Sequence, residues 1–230
     1  MTQAQPEPDL LAHIEPQDAR AEYLPRKRAV DVTICLLALP LLLVLMGVIA
    51  LLIVLDTPGS PLFVQERVGK DGRRFRMYKF RTMRADYSNE TDRDYMRAFV
   101  AGQPAQLSPE QDAVHKPIRS SDITRVGRYL RKASLDELPQ VFNVLAGDMS
   151  LIGPRPNVPW EVESYKEWHY ERLDVLPGIS GLAQVQGRSS ISFDEIAAYD
   201  IEYARTVSFA LDIDIMLATV RCVFSGEGAR

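Results

Sequence analysis

The 230-residue chain is poor in the residues that staple or metallate a protein. Its two cysteines, Cys35 in an apolar run and Cys222 in a late helical pattern, form no CxxC pair and give no disulfide framework, so a reducing compartment is the simpler setting. The three histidines, His13, His115 and His169, show no HExxH spacing and have no cysteines nearby, which leaves a zinc site without support. Surplus positive charge is also missing. A formal net charge of -4 argues against a chain that binds nucleic acid as a whole, since duplex binding is dominated by neutralising phosphates with a basic face. There is no internal repeat and no low-complexity tract. With 46% hydrophobic and 25% charged residues, the composition is that of one globular core with an appendage, neither disordered nor fibrous.

What the chain does have is a long uncharged apolar run, VTICLLALPLLLVLMGVIALLIVL from Val32 to Leu55. It exceeds the roughly 20 residues needed to cross a hydrocarbon core, so it belongs in a membrane. It starts too far in and is too long for a cleaved leader, and the acidic, proline-bearing stretch Met1 to Glu22 reads as a disordered tail. Arg26, Lys27 and Arg28 precede the run; Arg67, Lys70, Arg73, Arg74, Arg76, Lys79, Arg81 and Arg84 follow it. Both flanks carry the basic signature of a cytoplasmic loop, and a segment with two inside ends should not cross. Pro40 interrupts the run, removes a backbone hydrogen bond and kinks the helix. A kinked helix that dips in and returns to the same face fits both facts; a single span with a tolerated proline is the alternative.

Beyond a turn-rich exit, DTPGSP, two β-prone runs around an Asp-Gly pair, LFVQERV and RRFRMYKFRTM, predict a hairpin. Most of its cations read as a solvated or headgroup-facing edge, with Lys79, between Tyr78 and Phe80, expected to be partly buried. Ala85 to Pro117 is a polar surface excursion in which Thr91 to Val100 could form a short helix. Asp122 to Lys132 is a basic segment. Near the end, Phe193, Ile196, Ala197, Tyr199 and Tyr203 recur at helical spacing, and Ser208 caps a helix through Phe224 that is either a buried core helix or a membrane-surface one.

The stretch Ser134 to Gln140, SLDELPQ, places two carboxylates before a proline. Its plain reading is a capping box: Ser134 accepts from the Glu137 amide and Glu137 reaches back. Leu138, Val141, Phe142 and Leu145 then form a stripe that Gly147 ends. Pro139 falls where such a helix needs an amide donor, so the first turn is distorted or the helix starts later. Either way Asp136 and Glu137 lie near a helix N-terminus, which favours their ionised forms. Arg125, Arg128, Arg131 and Lys132 precede the pair. Arg155 follows it between two prolines that restrict its backbone, which suits capture of a phosphate. The cluster is either a structural ion-pair network or a phosphoryl-transfer site in which a carboxylate attacks or holds Mg2+ while arginines neutralise phosphate oxygens. The later run LPGISGLAQVQGR is a loop whose backbone can approach a ligand closely, or simply a tight turn.

These motifs in this order, from KRAVD at Lys27 to the closing LDIDIMLATVRCVFSGEGA, resemble the bacterial sugar transferases that are monotopic polyprenyl-phosphate hexose-1-phosphate transferases. The resemblance implies an α-rich α+β fold: a disordered tail (1–25), a re-entrant membrane helix (26–56), and a cytoplasmic catalytic domain (57–230) with a small β-hairpin, amphipathic interfacial helices and the 85–117 excursion. It implies transfer of a sugar-1-phosphate from a UDP-sugar to polyprenyl phosphate, with release of UMP, at the cytoplasmic face of a bacterial inner membrane. Membrane lipid is a partner, nucleic acid is not, and a homodimer is compatible. Asp136 matches the family's nucleophile, and Glu137 its partner for Mg2+ or for assisting the acceptor. Arg131 and Arg155 match phosphate-contacting arginines, and Lys79 the lysine that positions the aspartate. Gln184 and Arg188 resemble the nucleotide-side segment. The family often has Ser-Pro at the helix break where this chain has Leu39-Pro40, so a hydroxyl that could cap the freed carbonyls is missing. The excursion is longer than in the smallest members, and the extra transmembrane bundle of the large ones is not expected. The rival readings are a membrane-anchored scaffold, whose basic flank binds anionic lipid, and a phosphatase-like enzyme.

Overall fold

A computed structural model describes residues 17–84, 90–102, 122–186 and 191–225. The fold is mostly helical, with a long apolar N-terminal helix and a small antiparallel ribbon. Helix α1 (Gln17–Asp56) runs continuously through Pro25 and Pro40 and begins nine residues before the expected tail boundary, so 17–25 are helical. One stripe of it is buried: Lys27, Asp31, Cys35, Met46, Ile49 and Ile53, with Leu39 and Leu42 packed in the gap. These positions recur at steps of three and four and line up along one side of the helix. The rest of its surface, including Leu37, Leu41, Val44, Val48, Leu51 and Leu55, is exposed, and an apolar face of this length calls for a non-aqueous surrounding.

Both ends of α1 are bonded into the same domain. Near its start, Lys27 Nζ and the Tyr23 hydroxyl donate to Asp212 Oδ2 at 2.7 and 2.6 Å, the Tyr203 hydroxyl donates to Asp212 Oδ1 at 2.6 Å, and Ser150 Oγ donates to Asp31 Oδ2 at 2.6 Å. Arg28 donates to the carbonyls of Val144 and Leu145 in the last turn of a short helix, where a cation meets the negative end of the helix dipole. At the other end, Asp56 Oδ2 accepts from the Val126 amide at 3.0 Å, and Arg81 donates to the carbonyls of Thr57 and Pro58, each at 2.7 Å. Several cations expected as a topological signature, Lys27, Arg28, Lys79 and Arg81 among them, are thus engaged inside the protein.

β1 (Leu62–Val68) and β2 (Arg74–Phe80) form the expected hairpin, in register from Leu62 opposite Phe80 to Val68 opposite Arg74. The reversal needs a left-handed backbone at Asp71 and Gly72, and the Asp-Gly pair supplies it. α2 (Glu90–Val100), inside the excursion, is the expected short helix, but it is not merely a surface feature. Val100 is fully buried and packs with Phe99 and Tyr165 against Phe193 and Ala197. α3 (Arg125–Lys132), capped by Thr124 Oγ1, and α4 (Val141–Ala146) pack with β2 and α1 into the main core.

A second strand pair, unforeseen from sequence, is parallel: β3 (Ser150–Ile152) beside β4 (Gly178–Ser180). Its strands are too short to show alternation. α5 (Pro159–Val162), α6 (Leu182–Gln186), α7 (Phe193–Thr206) and α8 (Phe209–Ser225) complete the domain. α8 starts at Ser208 as expected, with Ser208 Oγ accepting from the Leu211 amide at 3.4 Å. It is half core and half surface: Asp212 and Ile215 are buried, whereas Phe209, Leu217 and Val220 are exposed.

Candidate active site

SLDELPQ does not form a capping box. Ser134 has φ 53 and its side chain caps nothing; Leu135–Gln140 is a 3₁₀ turn, and α4 starts only after it. The misplaced Pro139 explains this, because it has no amide to give to an α-helix begun at Ser134. Gly147 ends α4 in the left-handed region as expected, but the later start rotates Phe142 out of the anticipated stripe to 40% exposure. The consequence for Glu137 is decisive. Its carboxylate, released from capping, accepts from Lys79 Nζ at 3.0 Å and from Arg155 Nη1 at 3.4 Å, both through Oε1. Lys79 therefore hydrogen-bonds Glu137, and it reaches Asp136, which the resemblance implied it positions, through its charge.

The two carboxyls differ in electrostatics. Burial pushes the Asp136 pKa up from the ordinary aspartate range; Lys79 and Arg131 work against this, and the neighbouring Glu137 adds to it. For Glu137 burial acts in the same sense, but Lys79 and then Arg155 outweigh it and hold the carboxyl below its usual value. The Lys79 side chain is only 14% exposed; burial and Arg155 lower its pKa, and Glu137 offsets them. Among the described residues Asp136 makes no ion pair within 4 Å. One carboxylate is clamped by cations, and the adjacent one, among the described residues, is not.

The 3₁₀ turn is held against β2 by Asn143 of α4, whose Oδ1 accepts from the Tyr78 amide at 3.0 Å and whose Nδ2 donates to the Arg76 carbonyl at 2.7 Å. The buried Asn143 and the half-buried Arg67 are site residues that sequence reasoning missed. A polar residue inside VFNVLA was the available signal for the first. For the second it was strand register: Arg67 pairs with Phe75 and Phe63 with Lys79, so Arg67 and Lys79 share a face of the ribbon. Arg67, Lys79, Glu137, Arg155, Gly178 and Ile179 line a cavity of about 10 Å³, room for a single water.

Arg131 ends α3, half-buried, near enough for its charge to act on Asp136. Gln184 is exposed in α6 and donates to its own loop's Ile179 carbonyl at 3.3 Å; it is not brought to the carboxylates. Arg188 lies outside the described residues. The glycines of the LPGISG loop serve packing, because a Cβ on Gly178 would stand 2.1 Å from the Gly153 amide nitrogen.

The donor set fits Mg2+, an ion that takes one or two carboxylates and fills its remaining positions with phosphate and water. The Asp136 carboxylate and the unengaged Oε2 of Glu137 would supply those ligands. Among the described residues no group of three or more His, Cys, Asp or Glu side chains could form an all-protein cage.

A family described as bacterial sugar transferase matches residues 22–226. The galactosyl transferase CpsE of Streptococcus agalactiae is 40% identical over 212 residues, which is 90% of this chain and 44% of that protein. A UDP-N-acetylgalactosamine-undecaprenyl-phosphate N-acetylgalactosaminephosphotransferase of Aeromonas hydrophila is 38% identical over 210 residues, 89% of this chain and 45% of its own. The exopolysaccharide production protein ExoY of Sinorhizobium fredii is 36% identical over 207 residues, 88% of this chain and 87% of ExoY. The chain thus spans less than half the length of the first two relatives and most of the third.

Proposed function

Because the chain belongs to the bacterial sugar transferase family, we propose that it transfers a sugar-1-phosphate from a UDP-sugar to a polyprenyl phosphate such as undecaprenyl phosphate, releasing UMP and starting a cell-surface or secreted glycan. An Asp136 carboxylate oxygen attacks the sugar-bearing phosphorus. The bond from that phosphorus to the UMP oxygen breaks with its electron pair, giving UMP and a phosphosugar on Asp136. A phosphate oxygen of the polyprenyl phosphate then attacks the same phosphorus and the carboxylate leaves, so two displacements replace one difficult transfer. Arg155 and Arg131 neutralise the phosphate oxygens, and Lys79 keeps Glu137 ionised beside the acceptor. Asp136 and Glu137 would hold Mg2+, which when bound would supply charge neutralisation of the diphosphate.

The observation that carries this reading is the asymmetry of the carboxylate pair. An ion-pair network would use both carboxyls; here Glu137 is held by two cations, and among the described residues Asp136 enters no ion pair. The membrane setting is supported by α1, whose exposed face is apolar from Ile34 to Leu55 while both its ends are tied to one domain, as a helix that enters and leaves by the same leaflet requires. The domain then lies at the cytoplasmic face of the inner membrane.

The names of relatives divide among galactose, N-acetylgalactosamine and glucose, so the donor screen runs over those three UDP-sugars. Purified full-length protein with Mg2+, undecaprenyl phosphate and the accepted donor releases UMP, chelation by EDTA stops it, and Asp136→Asn abolishes it. Continued turnover by Asp136→Asn would sink the nucleophile, and UMP release independent of the lipid would favour a hydrolase.

A further inference from the structure

Arg155 stands on a turn, not on a helix or strand, yet that turn is held at every carbonyl from 154 to 157. The Gly178 amide donates to the Pro154 carbonyl at 2.9 Å and the Val68 amide to that of Asn157 at 2.9 Å. Between them, Arg172 Nη2 donates to the Arg155 carbonyl at 3.1 Å and Arg67 Nη1 to the Pro156 carbonyl at 2.9 Å. Pro154 and Pro156 have no amide hydrogens, so carbonyls are the handles by which this backbone can be gripped.

The two guanidiniums are not equivalent. Arg172, 2% exposed, is balanced by Asp200 and also donates to Asn157 Oδ1 at 2.7 Å and the Tyr165 hydroxyl at 2.8 Å, a self-sufficient core network. Arg67 has no carboxylate within 4 Å among the described residues. Its Nη2 donates to Gln65 Oε1 at 2.6 Å, and its buried Nε has no hydrogen-bond partner among the described residues. Burial, and then a second cation, Arg155, pull its pKa down to about 10, against the more distant charges of Glu161 and Glu137. A guanidinium partly desolvated with no carboxylate in contact and a like charge beside it is a poor device for stability.

We infer that Arg67 is a positioning residue for Arg155: by gripping the Pro156 carbonyl from the ribbon face that also carries Lys79, it fixes where the Arg155 guanidinium stands beside Glu137 before substrate arrives. The inference deepens the proposed function, since it rests on Arg155 as a phosphate-contacting group. Arginine is required because its fork reaches Pro156 and Gln65 together, whereas an ammonium is a point donor. The added charge also leaves the pocket with a cationic surplus over Glu137, a field suited to an incoming diphosphate.

The test uses the full chain in lipid nanodiscs, with Arg67→Lys and Arg67→Gln, and two readouts. Hydrogen exchange of the peptide covering 153–158 accelerates about tenfold in both variants, while exchange in α7 stays unchanged. In UMP release with UDP-galactose, or whichever of the three donors wild type accepts, kcat/KM falls on the order of 100-fold in both variants, as expected for a misplaced contact. Lysine does not rescue. Unchanged exchange at 153–158 overturns the inference, as does wild-type turnover by Arg67→Lys, which would make Arg67 a remote charge only. If Arg67→Gln does not fold, the lysine variant decides. If wild type releases no UMP from any donor, the proposed function fails while the exchange measurement still judges the positioning role.

Discussion

Asp136 and Glu137 are adjacent in the chain and shifted in opposite directions by their surroundings, and this has consequences for stability as well as chemistry. Asp136 holds its proton to higher pH when folded than when unfolded, so the stability linked to it is present below the unfolded pKa and lost as pH rises through the folded one. Glu137 behaves in reverse: its contribution is present above the unfolded pKa and lost as pH falls through the depressed folded value. At neutral pH, Asp136→Asn therefore raises the melting temperature of the inactive protein by roughly 2–4 °C, the equivalent of about 1 kcal/mol in a chain of this size. Glu137→Gln lowers stability by about 1–3 kcal/mol, because Lys79 is left buried without a carboxylate. Thermal unfolding of both variants checks this, and shifts of the same sign would contradict it. The carboxylate pair, Lys79 and Arg155 were legible in sequence because prolines, a run of cations and a hairpin frame them. Arg67 was not: in LFVQERVGKDGRR one cation looks like the next until strand register shows which faces Lys79.

Among the elements, α1 departs furthest from what its sequence displays. Its run is apolar on every side, so periodicity alone cannot say which face meets the core. The decision lies at its polar beginning, where Lys27 and Asp31 are drawn into a buried network with Asp212, Tyr203 and Ser150, and the stripe continues from there. Asp212→Ala is expected to cost about 3–5 kcal/mol by leaving Lys27 only its longer pair with Asp31 and the Tyr23 and Tyr203 hydroxyls without their acceptor, whereas Lys27→Met combined with Asp212→Leu recovers part of the loss, since an apolar pair can replace a buried ion pair. Chemical denaturation of the single and double variants measures both. A double variant as unstable as the single would mean that the network is needed as a polar unit. The 3₁₀ turn at Leu135–Gln140 was half legible: Pro139 flagged the distortion, but which carboxylate it would release depended on the position of β2. The β3–β4 pair was not legible at all, because what specifies it is the backbone contact between Gly153 and Gly178, distant in sequence.

At the scale of the whole molecule, the basic flanks that suggested two cytoplasmic ends proved to be partly internal struts, and the bonds that tie both ends of α1 to one domain are what now support the proposed entry and exit by one leaflet. Cysteines introduced by Gln5→Cys and Glu90→Cys should both resist a membrane-impermeant thiol reagent in intact cells and react once the membrane is opened. Labelling from opposite sides would restore a single span.

The stripe from Lys27 to Ile53 also means that the anchor and the catalytic domain share one interior. Cys35, Met46, Ile49 and Ile53 lie against Met77, Phe80, Val141 and Val144, the residues that support the strand bearing Lys79 and the helix beneath the carboxylates. A shortened chain beginning after Asp56 would not be a soluble enzyme freed of its tether. It would turn these side chains to water and loosen the packing under Lys79 and the carboxylates, so the apolar helix is a structural part of the domain as well as its tether.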